Sequence, residues 1–68
     1  MNGNLLRSKM VLHGDTGADL AGALGISQQR FSAKINETNG AEFTQREIKI
    51  IKDRYTLTDN EVCSIFFA

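Results

Sequence analysis

Proline is missing from this chain, cysteine and histidine occur once each, and the formal charges cancel. Each shortage removes a class of answer. Without proline, no helix is forced to kink or stop by a residue that costs a helix interior about 3 kcal/mol. A lone Cys63 cannot close an internal disulfide, which fits a cytoplasmic rather than a secreted setting. It lies beside Ser64-Ile65-Phe66-Phe67, where a free thiol reads as a small buried hydrophobe. Cys63 and His13 together fall short of the three or four ligands a zinc site requires, and no cofactor is expected. No apolar run approaches the roughly 20 residues a membrane span needs, and the polar start Met1-Asn2-Gly3-Asn4 does not read as a signal peptide. The alternation of polar and apolar residues that marks a strand is absent over any useful length, so the expected class is all-α. With one histidine, no paired carboxylates in an evident pocket and no glycine-rich phosphate loop after a strand, no constellation for catalysis is present, and an enzyme is not expected.

What is present suits a small folded domain. A hydrophobic content of 41% is too high for a disordered chain. The 68 residues make one domain, of a size that buries only about 60% of the surface its unfolded form exposes. A separate effector-binding or cleavage domain is not expected. The zero net charge hides an asymmetry. Up to Asn36, Arg7, Lys9, Arg30 and Lys34 stand against Asp15 and Asp19, four minus two, or +2. Beyond it, Arg46, Lys49, Lys52 and Arg54 stand against six acids, or −2.

Start and stop signals predict five helices. Leu6 and Met10, with Leu5 and Leu12 alongside, form the apolar face of the first, and Gly14 follows as its terminator. His13 lies in that last turn, where a cation meets the negative end of the helix dipole. Thr16 opens the second helix with Asp19 three residues on, Leu20, Ala21 and Leu24 face inward, and Gly25 ends it. Ser27 caps the third. There Phe31 and Ile35, four apart, form the inner face and leave Gln28, Gln29, Arg30, Ser32 and Lys34 outward. Glu37 to Glu42 has turn composition and reads as a loop. Thr44 with Glu47, and Thr58 with Glu61, are full capping boxes. They open a fourth helix with the inward stripe Ile48, Ile51 and Tyr55, and a short fifth with Val62, Ile65 and Phe66.

The informative stretch is TGADLAGALGISQQRFSAKIN, Thr16 to Asn36. Two helices meet at a glycine turn, with small Ala21 where they must approach closely. On its own this is also a plain helical hairpin. The outer face of the second helix, running from about Ser27 to Asn36, adds the functional signal. Glutamine carries a donor and an acceptor that match the N6/N7 edge of adenine, and Gln28 and Gln29 stand at the helix N-terminus, where helix-turn-helix docking places base-reading groups. Amides at the start of the preceding helix, near Thr16 and Gly17, suit a phosphate oxygen.

Over nearly its whole length the chain resembles the phage and prophage Cro/CI-type helix-turn-helix repressors. The resemblance rests on Leu6-Arg7-Ser8-Lys9-Met10, Asp19-Leu20-Ala21, Leu24-Gly25-Ile26-Ser27 and Phe31-Ser32-Ala33-Lys34-Ile35-Asn36. It continues in Glu47-Ile48-Lys49 and Ile65-Phe66-Phe67. It implies a five-helix, lambda-repressor-like DNA-binding domain with the helix-turn-helix at about 16–36. Gln28, Gln29 and Ser32 would then read bases, and Thr16, Arg30, Lys34 and Asn36 would contact phosphates. The implied partner is double-stranded DNA, bound by a homodimer at half-sites about 34 Å apart, and the implied setting is the cytoplasm of a bacterial host. Two positions depart from the family pattern. Gly17 stands where glutamine often braces the recognition helix, and Asp15 where an apolar residue often staples the second helix. At the C-terminal end, Ile65-Phe66-Phe67-Ala68 splits between a core role for Phe66 and a dimer contact for Phe67. The alternative on the same fold is a protein-interaction module: an antirepressor, an antitoxin-like partner or an adaptor.

Overall fold

The computed structural model describes residues 1–67. Its helices are α1 (Gly3–Leu12), α2 (Gly17–Leu24), α3 (Gln28–Ile35), α4 (Gln45–Tyr55) and α5 (Asp59–Phe66), and a 3₁₀ turn at Thr38–Gly40 lies between α3 and α4. Among the described residues there is no strand, and no helix is long and apolar enough to cross a membrane. Ala68, the last residue of the apolar C-terminal segment, lies outside the described residues.

The helix starts are set by side-chain caps, each contributing about 1 kcal/mol by satisfying an amide that has no partner inside the helix. Asn2 accepts from Leu5 N–H at 3.1 Å. Thr16, Thr44 and Thr58 each accept from the amide three residues on, and Asp19, Glu47 and Glu61 return a carboxylate to the cap residue's own N–H. The Thr16–Asp19 box, imperfect by sequence because it uses aspartate, is closed in both directions. Ser27 accepts from Arg30 N–H at 3.1 Å, but its third residue is a cation and returns nothing.

The turn between α2 and α3 is as tight as the sequence suggests. Gly25 is left-handed at φ 72°, a region where a Cβ costs about 1–2 kcal/mol. Its N–H donates to Gly22 O, and Ile26 N–H donates to Ala21 O at 3.1 Å, the bond pair of a Schellman closure. The end of α4 uses the same closure on Thr56 (φ 51°), a β-branched residue that no stop signal marks. Glu37 and Asn39 are also left-handed, which turns the expected loop into a 3₁₀ turn.

Leu6, Leu20, Leu24, Ile51 and Ile65 are the largest fully buried side chains, and Met10, Ala21, Phe31, Ile35, Ile48, Tyr55 and Val62 surround them. Phe43 and Leu57 join this core, although neither belongs to a periodic stripe. Phe43 lies in the chain between α3 and α4, its ring centroid 5.9 Å from Phe31 and 5.8 Å from Phe66. Phe66 is half-buried and Phe67 is 61% exposed. The first and last helices are neighbours, and Asn2 N–H donates to Ile65 O at 2.6 Å. A Cβ on Gly3 would lie 2.8 Å from Ile35 O, so the start of α1 presses directly on the end of α3.

Two expectations are corrected. Leu12 does not join the apolar face of α1; it is 74% exposed, beside Val11 at 78%, because Leu6 and Met10 already fill the narrow face that α1 turns inward. Cys63 is exposed rather than buried, because Val62 and Ile65 carry the inner stripe of α5 and position 63 falls on the opposite side of the helix.

Candidate functional site

The exposed face of α3 follows from which of its residues are used inside. Phe31 and Ile35 are 4% and 6% exposed, so they fix the helix on the core and decide what it shows to solvent. Gln28, Gln29, Arg30, Ser32 and Asn36 are exposed. Gln28, Ser32 and Asn36 recur every four residues and share one stripe, on the side toward α1. Asn36 Nδ2 donates to Ser32 Oγ at 3.5 Å, and Arg7 Nη2 donates to Asn36 Oδ1. Arg30 lies on the other flank of α3.

Lys34 is not part of this face, and its outward placement is corrected. Its side chain is 11% exposed, and Nζ donates to both oxygens of Glu47 at 2.6 and 2.8 Å. Glu47 also accepts from Thr44 N–H at 2.8 Å. Burial pushes the Glu47 carboxyl up; the Lys34 ammonium and the Thr44 amide outweigh burial and hold it below its ordinary value. A lysine so held joins α3 to the cap of α4, and its ammonium is not free to reach a phosphate. Thr16 remains exposed, but its N–H donates to Asp19 Oδ2 at 2.9 Å. That amide is therefore committed, and a carboxylate stands beside the start of α2.

Pairing explains how a chain of zero net charge distributes it. Lys9 pairs with Glu61, Lys34 with Glu47, Lys52 with Asp59, Arg54 with Asp15, and the Met1 ammonium with Glu37. Among the described residues this leaves Arg7, Arg30, Arg46 and Lys49 without a carboxylate partner, and Asp19, Glu42 and Asp53 without a cation. Two of the four cations, Arg7 and Arg30, flank or carry the exposed stripe of α3.

Asp15 does by hydrogen bonding what an apolar staple would do by contact. It accepts from Arg54 Nε and Nη2 at 2.7 and 2.9 Å and from Tyr55 OH at 2.7 Å. The Arg54 guanidinium, then the Tyr55 hydroxyl, hold its carboxyl down at about 2. Desolvation and the same carboxylate push the Tyr55 phenol well above its usual range. His13 stacks on Tyr55 with centroids 4.8 Å apart, so the junction ahead of α2 is clamped to the end of α4.

Gly17 faces α3 with room for a Cβ. A Cβ there would meet Phe31 at 3.7 Å and Gln28 Nε2 at 3.9 Å, both ordinary contacts. The hollow that includes this point has a volume of about 350 Å³ and a floor of Met10, Phe31 and Ile35; Gln28, Ser32 and Arg7 are at its rim. Among the described residues no three of His, Cys, Asp or Glu converge as metal ligands would. No protein-family model, curated protein or solved structure matches the chain.

Proposed function

We propose that this chain is a sequence-specific, double-stranded DNA-binding regulator of the Cro/CI kind, in which α2 and α3 act as a helix-turn-helix and α3 enters the major groove. The observation that carries the reading is the exposed, amide-rich outer face of a short helix fixed from below by Phe31 and Ile35. Gln28, Gln29 and Ser32 are the base-reading groups; Arg30, Asn36 and the Thr16 hydroxyl face the flanking phosphates. Lys34 has no phosphate role. The lambda-repressor-like arrangement also implies two copies on a palindromic site, with exposed Phe67 as the apolar contact, in the cytoplasm of a bacterial host.

Selection of bound sequences from a random duplex pool tests this. Enrichment of a short palindromic motif supports the reading. Alanine at both Gln28 and Gln29 is then expected to erase the preference, since each good bidentate contact contributes about 1–3 kcal/mol of discrimination. An unchanged motif in that double variant places base reading elsewhere.

The protein-interaction alternative is favoured by one observation: five cations, counting the Met1 ammonium, are consumed in ion pairs, and Asp19 stands at the start of α2. Salt separates the two readings. Binding through phosphates weakens steeply as salt rises, whereas an apolar protein interface barely responds.

A further inference from the structure

Arg7 belongs to the α1 segment that carries the resemblance but is given no binding role by it, yet its surroundings are specific. It lies on α1, but its guanidinium reaches the end of α3: Nη2 donates to Asn36 Oδ1, and Nη1 to Asn4 Oδ1 at 3.4 Å. Both partners are neutral amides. They fix the guanidinium in place without cancelling its charge.

The carboxylates nearby are committed elsewhere. Arg7 shares the hollow beside Gly17 with Asp15, and a second, shallower one at the α1–α3 seam with Glu37. Asp15 is bound by Arg54 and Tyr55, and Glu37 by the Met1 ammonium at 2.7 Å. Among the described residues the positive charge of Arg7 is thus unopposed at the rim that Gln28 and Ser32 also line. A planar guanidinium with unused donors suits the geometry of a phosphate. An orienting amide removes part of the side-chain entropy that an exposed arginine otherwise loses on binding.

We propose that Arg7 is a phosphate-binding residue of this face, gripping the DNA backbone at the seam between α1 and α3 in the role that buried Lys34 does not fill. The proposal rests on the DNA-binding reading and adds a contact from a third helix to it. It also gives the stripe an order: Gln28 and Ser32 toward the bases, Asn36 as the bridge, Arg7 on the backbone.

The test compares the wild type with Arg7→Gln and Arg7→Lys on two short duplexes, one carrying the selected motif and one of arbitrary sequence, across a salt series. Arg7→Gln is expected to weaken both complexes by about tenfold and to reduce the slope of log K against log salt by about 0.9, the signature of one lost phosphate contact. Arg7→Lys keeps the charge and is expected to keep the slope. A glutamine variant with wild-type affinity and slope overturns the proposal while leaving the DNA reading intact. A reduced slope in the lysine variant overturns it as well, because the loss would then not be one of charge. A wild type that binds neither duplex in a salt-dependent way ends both. Unfolding midpoints of the variants are expected to match the wild type, since Arg7 is exposed.

Discussion

Four helices open on a serine or threonine cap, and one of them is built differently. α2, α4 and α5 return a carboxylate to the cap from the third residue, through Asp19, Glu47 and Glu61. α3 has Arg30 at that place and no acid in its first turn. The same division holds more widely. Elsewhere four lysines and arginines are joined to acids, although Arg46 and Lys49 are not; along α3, exposed amides, Arg30 near its start and Arg7 at its far end are left without a carboxylate partner among the described residues. With no carboxylate at its tip, the start of α3 keeps the positive end of its dipole exposed and uncancelled.

The largest effect is expected on the closed side. Lys34→Met leaves Glu47 buried without a counterion and should cost on the order of 3 kcal/mol in urea unfolding. Combining it with Glu47→Gln should recover most of that loss, because an amide oxygen still accepts from Thr44 N–H. The double variant should bind DNA with the wild-type salt slope. A slope reduced by about one contact would return Lys34 to the phosphate-binding set.

Arg30→Glu closes the missing box. It should raise stability by up to about 1 kcal/mol, a gain of roughly 4–8 °C in a domain this small, while weakening duplex binding at least tenfold. If binding survives the reversal, the unclosed cap has no connection with anion recognition.

The smallest effect is at Asp15, and it is confined to acid. A carboxyl whose folded pKa lies below its unfolded value contributes stability above the unfolded value, near about 3.9, and loses it as the pH falls toward about 2. Asp15→Asn should therefore lower the thermal midpoint by a constant amount above about pH 5, with the gap to wild type closing between about pH 4 and pH 2. A gap of equal size at both ends would mean that the clamp works through shape alone.

The helix boundaries were legible because caps and turn glycines are local signals. Ser27 and Asn36 bracket α3 as the sequence predicts, and Thr16, Thr44 and Thr58 start their helices. What the sequence hid depends on partners far along the chain. Lys34 sits at the polar edge of its helix, and only Glu47, thirteen positions on, draws it inside. Asp15 reads as a missing staple until Arg54 and Tyr55 are brought to it. Phe43 lies outside any periodic segment, so nothing nearby marks it as the ring between Phe31 and Phe66. The candidate face was legible at Gln28, Gln29, Arg30 and Ser32. Arg7 was not, because its placement at the seam follows from the close passage of Gly3 over Ile35.

The adjacency of α1 and α5 bears on how the chain comes to be folded during synthesis. Leu6 on α1 and Ile65 on α5 are both fully buried, the two helices are neighbours, and Lys9 reaches its partner only at Glu61. The first helix made must therefore wait for the last before its apolar face is covered. The α2–turn–α3 hairpin, whose contacts are local, can form early, while closure of the core spans almost the whole sequence and sets the slow step. A growing chain that still lacks α5 leaves part of the apolar face of α1 uncovered, and its protection then depends on the speed of translation rather than on the stability of the finished domain.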